Sequence, residues 1–252
     1  MIRAALFLLA TLTGQLNLDF EPTLFAPGVI SGSAHDSAPA FTPDGETVYF
    51  GRSTDAGSFI VVSHKTAKGW SEPTIASFSG RWRDMEPAMA PDGSYLIFAS
   101  NRPITRGGQA ITAETDAKAQ AGDGSNLWRV DRTPTGWSDP VHLAGVINSS
   151  GSTYSPSIAG DGTLYFMRPS AGSHHRFQLF RAAATDNGFE PPKPLPFSDG
   201  SETDVDPKRP FSGTSESLHN GDDAGGTAIQ HHGRSAFLEL VCPGPGMTFS
   251  NG

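Results

Sequence analysis

Short runs of β-branched and aromatic residues punctuate this chain. They read "TVYFG", "SFIVVSH", "YLIFAS", "NLWRVDR", "TLYFMR" and "FQLFRAA", and turn-forming residues lie between them. Runs this short, bounded by Gly, Pro, Asn and Asp, predict strands rather than helices. The phrase "SAPAFTPDGETVYF" at 37–50 shows how the strands are joined. "APAFT" alternates, Pro43-Asp44-Gly45 turns the chain, and the next strand follows. Pro presets φ at the first corner, Asp can bond back to the backbone, and Gly takes the left-handed position.

The same phrase returns as "MEPAMAPDGSYLIF" at 85–98 and "YSPSIAGDGTLYF" at 154–166. Its turn aspartates, Asp44, Asp92 and Asp161, lie 48 and 69 residues apart. A second marker ends each unit at Pro22, Pro73, Pro140 and Pro191, spaced 51, 67 and 51 residues. Both report a period near 50 with one insertion, residues 103–125. That insertion lacks an apolar face and is expected to be an exposed loop, with a helical turn around 113–121. Four short strands per unit, repeated in series, predict an all-β β-propeller of four-stranded blades, about three full blades plus a partial one. The competing readings are a β-sandwich and an irregular β-solenoid. "GWSEP" and "GWSDP" are expected to end the fourth, edge-like strand, where Pro is tolerated. Trp70 and Trp137 hold equivalent places there, which favours packing over sugar stacking.

The three turn phrases resemble the WD-like β-propeller repeat of the TolB type, over about residues 20–207. The resemblance implies periplasmic or extracellular propellers of six or more blades. It also covers the propeller domains of prolyl oligopeptidase-like enzymes. Residues 1–19 have the layout of a secretory signal and lead-in: Arg3, an apolar run from Ala4 to Leu12, then small and polar residues. The run is too short to span a bilayer, so no membrane span is expected in the mature chain. Residues 208–252 break the pattern, with no Asp-Gly turn in register. They are read as an atypical tail, disordered or non-native, of a truncated or frame-altered chain. The alternative is a flexible tail beyond a small closed propeller. Three and a half blades form a poor ring, so a monomer of this length is expected to be marginal or aggregation-prone.

Composition narrows the partners. The net charge of −8 disfavours nucleic acid and anionic membrane surfaces. The single cysteine, Cys242, permits no internal disulfide. No His-Glu-x-x-His, Cys-x-x-Cys, Gly-x-Ser-x-Gly or nucleotide loop is present, so no metal, cofactor or catalytic residue is assigned. The adjacent pairs His174-His175 and His231-His232 would point to opposite faces of a strand. "AGDGSN" at 121–126 reads as a turn rather than a calcium loop.

Recurring charges give the candidate ligand site. Asp36, Asp84 and Asp204 stand three positions before the blade prolines Pro39, Pro87 and Pro207, where the third unit has Thr153. Arg52, Arg102 and Arg168 follow the second strands. Together they are expected to line the channel mouth and hold a ligand; the competing reading makes them scaffold. The expected function is a non-enzymatic, exported binding or scaffold propeller that recognises a protein or glycan. The alternatives are a sialidase-like glycoside-active propeller, with Tyr154 beside Asp84 and Asp204, and a fragment of a larger propeller-containing enzyme.

Overall fold

Pro43-Asp44-Gly45 makes the turn that its residues dictate. In the computed structural model Gly45, Gly93 and Gly162 hold φ of 68, 72 and 83°, conformations costly to any residue with a side chain. The structure describes residues 23–113, 119–170, 177–196 and 198, together with the backbone of 229–231 and 234–236. Each turn aspartate caps its own loop. Asp44 accepts from Thr42 Oγ1 at 2.6 Å and Glu46 N at 3.0 Å. Asp92 accepts from Ser94 Oγ and N, and Asp161 from Thr163 N. These bonds hold all three carboxyls below their usual pKa. Their support is present above the usual Asp range and is lost as pH falls from that range through the lowered folded values. The third turn is one residue shorter: Ala159 N reaches Thr163 O, whereas Thr42 N reaches Thr47 O.

The turns join strands into repeated meanders. The first blade contains β1 (His35–Phe41), β2 (Thr47–Thr54), β3 (Gly57–Thr66), β4 (Gly69–Trp70) and β5 (Thr74–Ile75). The second contains β6 (Asp84–Met89), β7 (Tyr95–Ser100), β8 (Asn126–Thr133), β9 (Gly136–Trp137) and β10 (Val141–His142). The third contains β11 (Tyr154–Ile158), β12 (Leu164–Pro169), β13 (Phe177–Ala182), β14 (Ala184–Thr185), β15 (Gly188–Phe189) and β16 (Lys193–Pro194). The spatial orders β1-β2-β3-β5, β6-β7-β8-β10 and β11-β12-β13-β16 are the same antiparallel meander. These are propeller blades, three among the described residues. A further hairpin pairs β17 (Ile229–His231) with β18 (Arg234–Ala236). Residues 1–22, the fourth unit around Pro207, His174-His175 and most of the 208–252 tail lie outside the described residues.

Two local expectations change. The fourth strand follows the proline instead of ending at it. Gly-Trp forms a small hook on the third strand, as Lys65 pairs with Trp70 and Arg132 with Trp137. The chain then crosses back to place Thr74–Ile75 and Val141–His142 on the blade edge. The insertion 103–125 is also more than an exposed loop. Ile111 and Ala113 are buried, Gly122 N and Gly124 N donate to Ile111 O, and Thr112 pairs with Ala121. Residues 114–118 of the expected helical turn are outside the described residues.

Core packing lies between blades because a single sheet cannot bury both faces. Phe50, Phe98 and Phe166 are equivalent, and each is fully buried. Phe98, Leu96 and Val130 pack on Tyr49, Ile60, Val62 and Phe78. Phe166, Leu164 and Phe180 pack on Ile97, Leu127, Leu143 and Ile147. Phe50, Val48 and Val61 are covered by Phe25 and Ile30 of the lead-in segment. The inner strands β1, β6 and β11 neighbour one another in that order.

The tryptophans serve packing. Trp70 touches the Phe25 and Phe41 rings. Trp137 packs on Tyr49 and Phe78 and donates Nε1–H to Tyr49 Oη at 2.9 Å, linking the first two blades. Trp137→Phe keeps the aromatic contact but removes that bond. A loss of about 1 kcal/mol is expected in urea unfolding.

Candidate functional site

The loops entering β1, β6 and β11 lie at one end of the blades, with the loops after β2, β7 and β12. The register requires this, since His35 pairs with Ser53 beside the β2–β3 turn. The recurring charged residues are here, but they face one another. Arg52 donates Nε–H and Nη2–H to the two Asp36 oxygens at 2.7 and 2.9 Å. Arg102 donates Nη2–H to Asp84 at 2.7 Å, and Ser79 Oγ donates to the other Asp84 oxygen at 2.7 Å. Both Asp side chains are fully buried.

Each arginine also lies over the core phenylalanine of its own blade. The guanidinium carbon is 5.3 Å from the Phe50 centroid, 4.9 Å from Phe98 and 5.8 Å from Phe166. Each then donates to a carbonyl six residues before the recurring Asp or Thr position: Ile30, Phe78 and Ile147. The repeat therefore carries a clamp. Phenylalanine supports arginine, and arginine ties the incoming loop to the blade. Blade three has Thr153 where the others have Asp. There Arg168 relies on Ser149 Oγ, Val146 O and Ile147 O, and burial lowers its pKa. Arg102 stands two positions beyond the true equivalent of Arg52. That position holds Ser100, which accepts from Arg102 Nε at 2.9 Å and lets it fold back to Asp84. Asp204 is outside the described residues.

What faces the inter-blade mouth is not repeated. The residues before the blade prolines, Ala38, Glu86 and Ser155, have φ of 50, 53 and 52° at a bulge of each inner strand. A non-glycine residue there is strained by about 1–3 kcal/mol. The bulge turns Glu86 of blade two toward blade three. Its carboxylate accepts from Ser155 N at 2.7 Å and from Ser155 Oγ at 3.3 Å. Arg83 donates Nη2–H to Asp123 O at 2.8 Å and Gly124 O at 3.0 Å, drawing the insertion to the mouth. Its Nε is buried without a hydrogen-bond partner. Tyr154 Oη donates to Asp123 O at 3.4 Å. Thus Tyr154 neighbours Glu86 and Arg83, not Asp84, which Arg102 and Ser79 enclose. The phenol's pKa is raised, chiefly by burial, which opposes its use as a nucleophile.

Burial also pushes the Glu86 carboxyl above its usual range, against the lowering effect of Ser155 and Arg83. The folded state therefore binds this proton more tightly than the unfolded chain. Its contribution to stability falls as pH rises from the ordinary Glu range to the raised folded value. Glu86→Gln keeps an acceptor for Ser155 and cannot ionise. The variant should match wild type in acid and be more stable at neutral pH, as urea midpoints across pH would reveal. A wild type that gains stability over that window relative to the variant would overturn this.

Beside the mouth lies a groove of about 400 Å³ between the insertion and the loop entering β11. Its floor is fixed by side-chain amides. Asn126 Nδ2 donates to Ser125 O and Ser150 O, and Asn148 binds Leu127 N and O and Leu143 O. His142 Nε2 lies 2.8 Å from Asn126 Oδ1 and 3.2 Å from Asn148 Nδ2, and burial lowers its pKa. The turn reading of 121–126 holds, since Asp123 accepts from Gln120 N. Among the described residues no cluster of three or more His, Cys, Asp or Glu could hold a metal ion. Among the described residues no helix is long and apolar enough to cross a membrane.

Glu86, Arg83, Asn126 and Asn148 do not emerge from a search for repeated residues. The available signal was their departure from the repeat: Glu86 stands where the other blades have Ala38 and Ser155.

No protein-family model matches the chain, and no curated protein does. Solved propellers are similar to it. The β-propeller domain of the Trilobed protease from Pyrococcus furiosus, described as having an open velcro topology, aligns with TM-score 0.39 at 14% identity, over 65% of this chain and 43% of that one. TolB from Acinetobacter baumannii gives 0.36 at 14% identity, over 66% and 45%. Prolyl oligopeptidase B from Galerina marginata gives 0.39 at 15% identity, over 70% and 25%. The chain spans less than half the length of each of these three. The propeller assignment rests on the three repeated meanders and their inter-blade cores.

Proposed function

We propose that this chain is an exported, non-enzymatic binding propeller that recognises a protein or glycan through its loop-bearing end. One observation carries the reading. Among the described residues the repeated charges are consumed in internal clamps, while unrepeated polar groups and the 119–125 end of the insertion meet at one mouth. Repetition serves the scaffold, and departure from it at one end marks what the scaffold presents. The signal-like start supports export to the periplasm or beyond. The glycoside-active alternative has less support, given the raised Tyr154 pKa and the enclosure of Asp84.

The test compares surfaces. Candidate glycans and envelope-protein extracts are presented to wild type, to Arg83→Met and to Lys65→Ala. Lys65 pairs with Glu46 near the opposite end and serves as the control. Binding that Arg83→Met weakens and Lys65→Ala preserves is expected. Binding equally sensitive to both, or turnover of a glycoside, would overturn the reading.

A further inference from the structure

We infer that the groove between the insertion and the loop entering β11 binds an uncharged, polyhydroxylated ligand, a segment of neutral glycan. The inference rests on the loop-face reading above and names the ligand class.

Thr105, Gln109 and Thr112 line it on the insertion side and Asn126, Asn148 and Ser149 on the other, and no lining residue carries a formal charge. The nearby Arg168 directs Nη1 to Val146 O, Ile147 O and Ser149 Oγ. Burial lowers the pKa of His142 beneath the floor, which favours the neutral ring. No lining side chain offers an ionic ligand a counter-charge, and Arg168 behind Ser149 is engaged by backbone carbonyls, whereas hydroxyls can exchange water for amide and hydroxyl partners. The volume suits a small ligand or a short stretch of a longer one.

The wall is fixed before any ligand arrives. Asn126 and Asn148 are held by the backbone, and Ser125 pairs with Ser152. A Cβ on Gly151 would run into the Thr112 carbonyl, so the two loops close on each other only because that position is glycine. Rigid polar floors lower the ordering cost of binding. Thr105, Gln109 and Thr112 supply polar groups on the insertion side, and the exposed Ile104 offers an apolar surface for the C–H face of a sugar ring.

Isothermal titration of the full chain with maltotriose, N,N′-diacetylchitobiose and sialyllactose tests this, preceded by a glycan array. Binding to a neutral sugar is expected, with at least about tenfold weakening in Thr105→Val/Gln109→Leu, the equivalent of about 1.4 kcal/mol. Both residues are exposed, so the thermal melt should stay that of wild type. Gln109→Asn should retain part of the affinity. A preference for the acidic sugar, or neutral-sugar binding unchanged in the double variant but lost in Arg83→Met, overturns the groove assignment and leaves the loop-face reading standing. Binding of a protein but no glycan at that end does the same. Absence of both protein and glycan binding defeats the two readings together.

Discussion

Asp84→Ala should destabilise the protein by about 3–5 kcal/mol, because it leaves Arg102 buried without its counter-charge. The Arg102 side chain is 9% exposed and Asp84 fully buried. The guanidinium is enclosed by Phe98, Trp128 and the Phe78 carbonyl, so water cannot replace the lost carboxylate. A domain typically has about 5–15 kcal/mol in total, so this is a large share. Asp36→Ala should cost less, since the Arg52 side chain is 22% exposed and can rehydrate. Asp84→Leu with Arg102→Met should recover much of the loss, because the apolar pair restores a neutral core. Urea unfolding followed by circular dichroism gives the three midpoints. Equal, small effects for Asp84→Ala and Asp36→Ala would contradict the burial argument.

Phe98→Ala should cost a further class-defining amount, about 3–5 kcal/mol. The ring is fully buried, sits 5.3 Å from Phe78 and supports the Arg102 guanidinium at 4.9 Å. Truncation therefore opens a cavity between the first two blades and removes the floor of the clamp. Phe41→Ala is a useful contrast, with Phe41 41% exposed. Because Phe98 and Asp84 hold the same arginine, the double variant should lose less than the two single losses combined. Full additivity would mean that the ring and the ion pair act separately. Size-exclusion chromatography beside the melts distinguishes a loosened monomer from association through an opened blade face.

The two effects show how a repeat can be read and misread. The sequence shows the recurring Asp and Arg positions but not the phenylalanines beneath the arginines, and recurrence points to scaffold as readily as to ligand. Choosing between those readings required distances. Arg52 and Asp36 meet because β1 and β2 set them opposite each other. Arg102 reaches Asp84 although it stands two residues out of register, since Ser100 leaves room for it to turn back. Glu86 gives no signal in the sequence for the complementary reason. It has no counterpart in the other blades, and its partner Ser155 lies 69 residues away across a blade boundary. The groove is equally hidden: the composition of 103–125 reads as loop, and its fixed wall comes from tertiary anchors, buried Ile111 and Ala113 and the bonds of Arg83 to Asp123 O and Gly124 O.

The amino-acid sequence alone determined the strands, the Pro-Asp-Gly turns, the fifty-residue period and hence the blade. Those features are local: φ preferences, short-range hydrogen bonds and apolar runs act within a few residues of one another. Only the tertiary structure decided which charges neutralise each other, where the fourth strand lies, and that Glu86, Arg83 and the insertion share one mouth. Those outcomes depend on how separate sheets stack, and stacking brings together groups whose separation along the chain carries no energetic signal of its own.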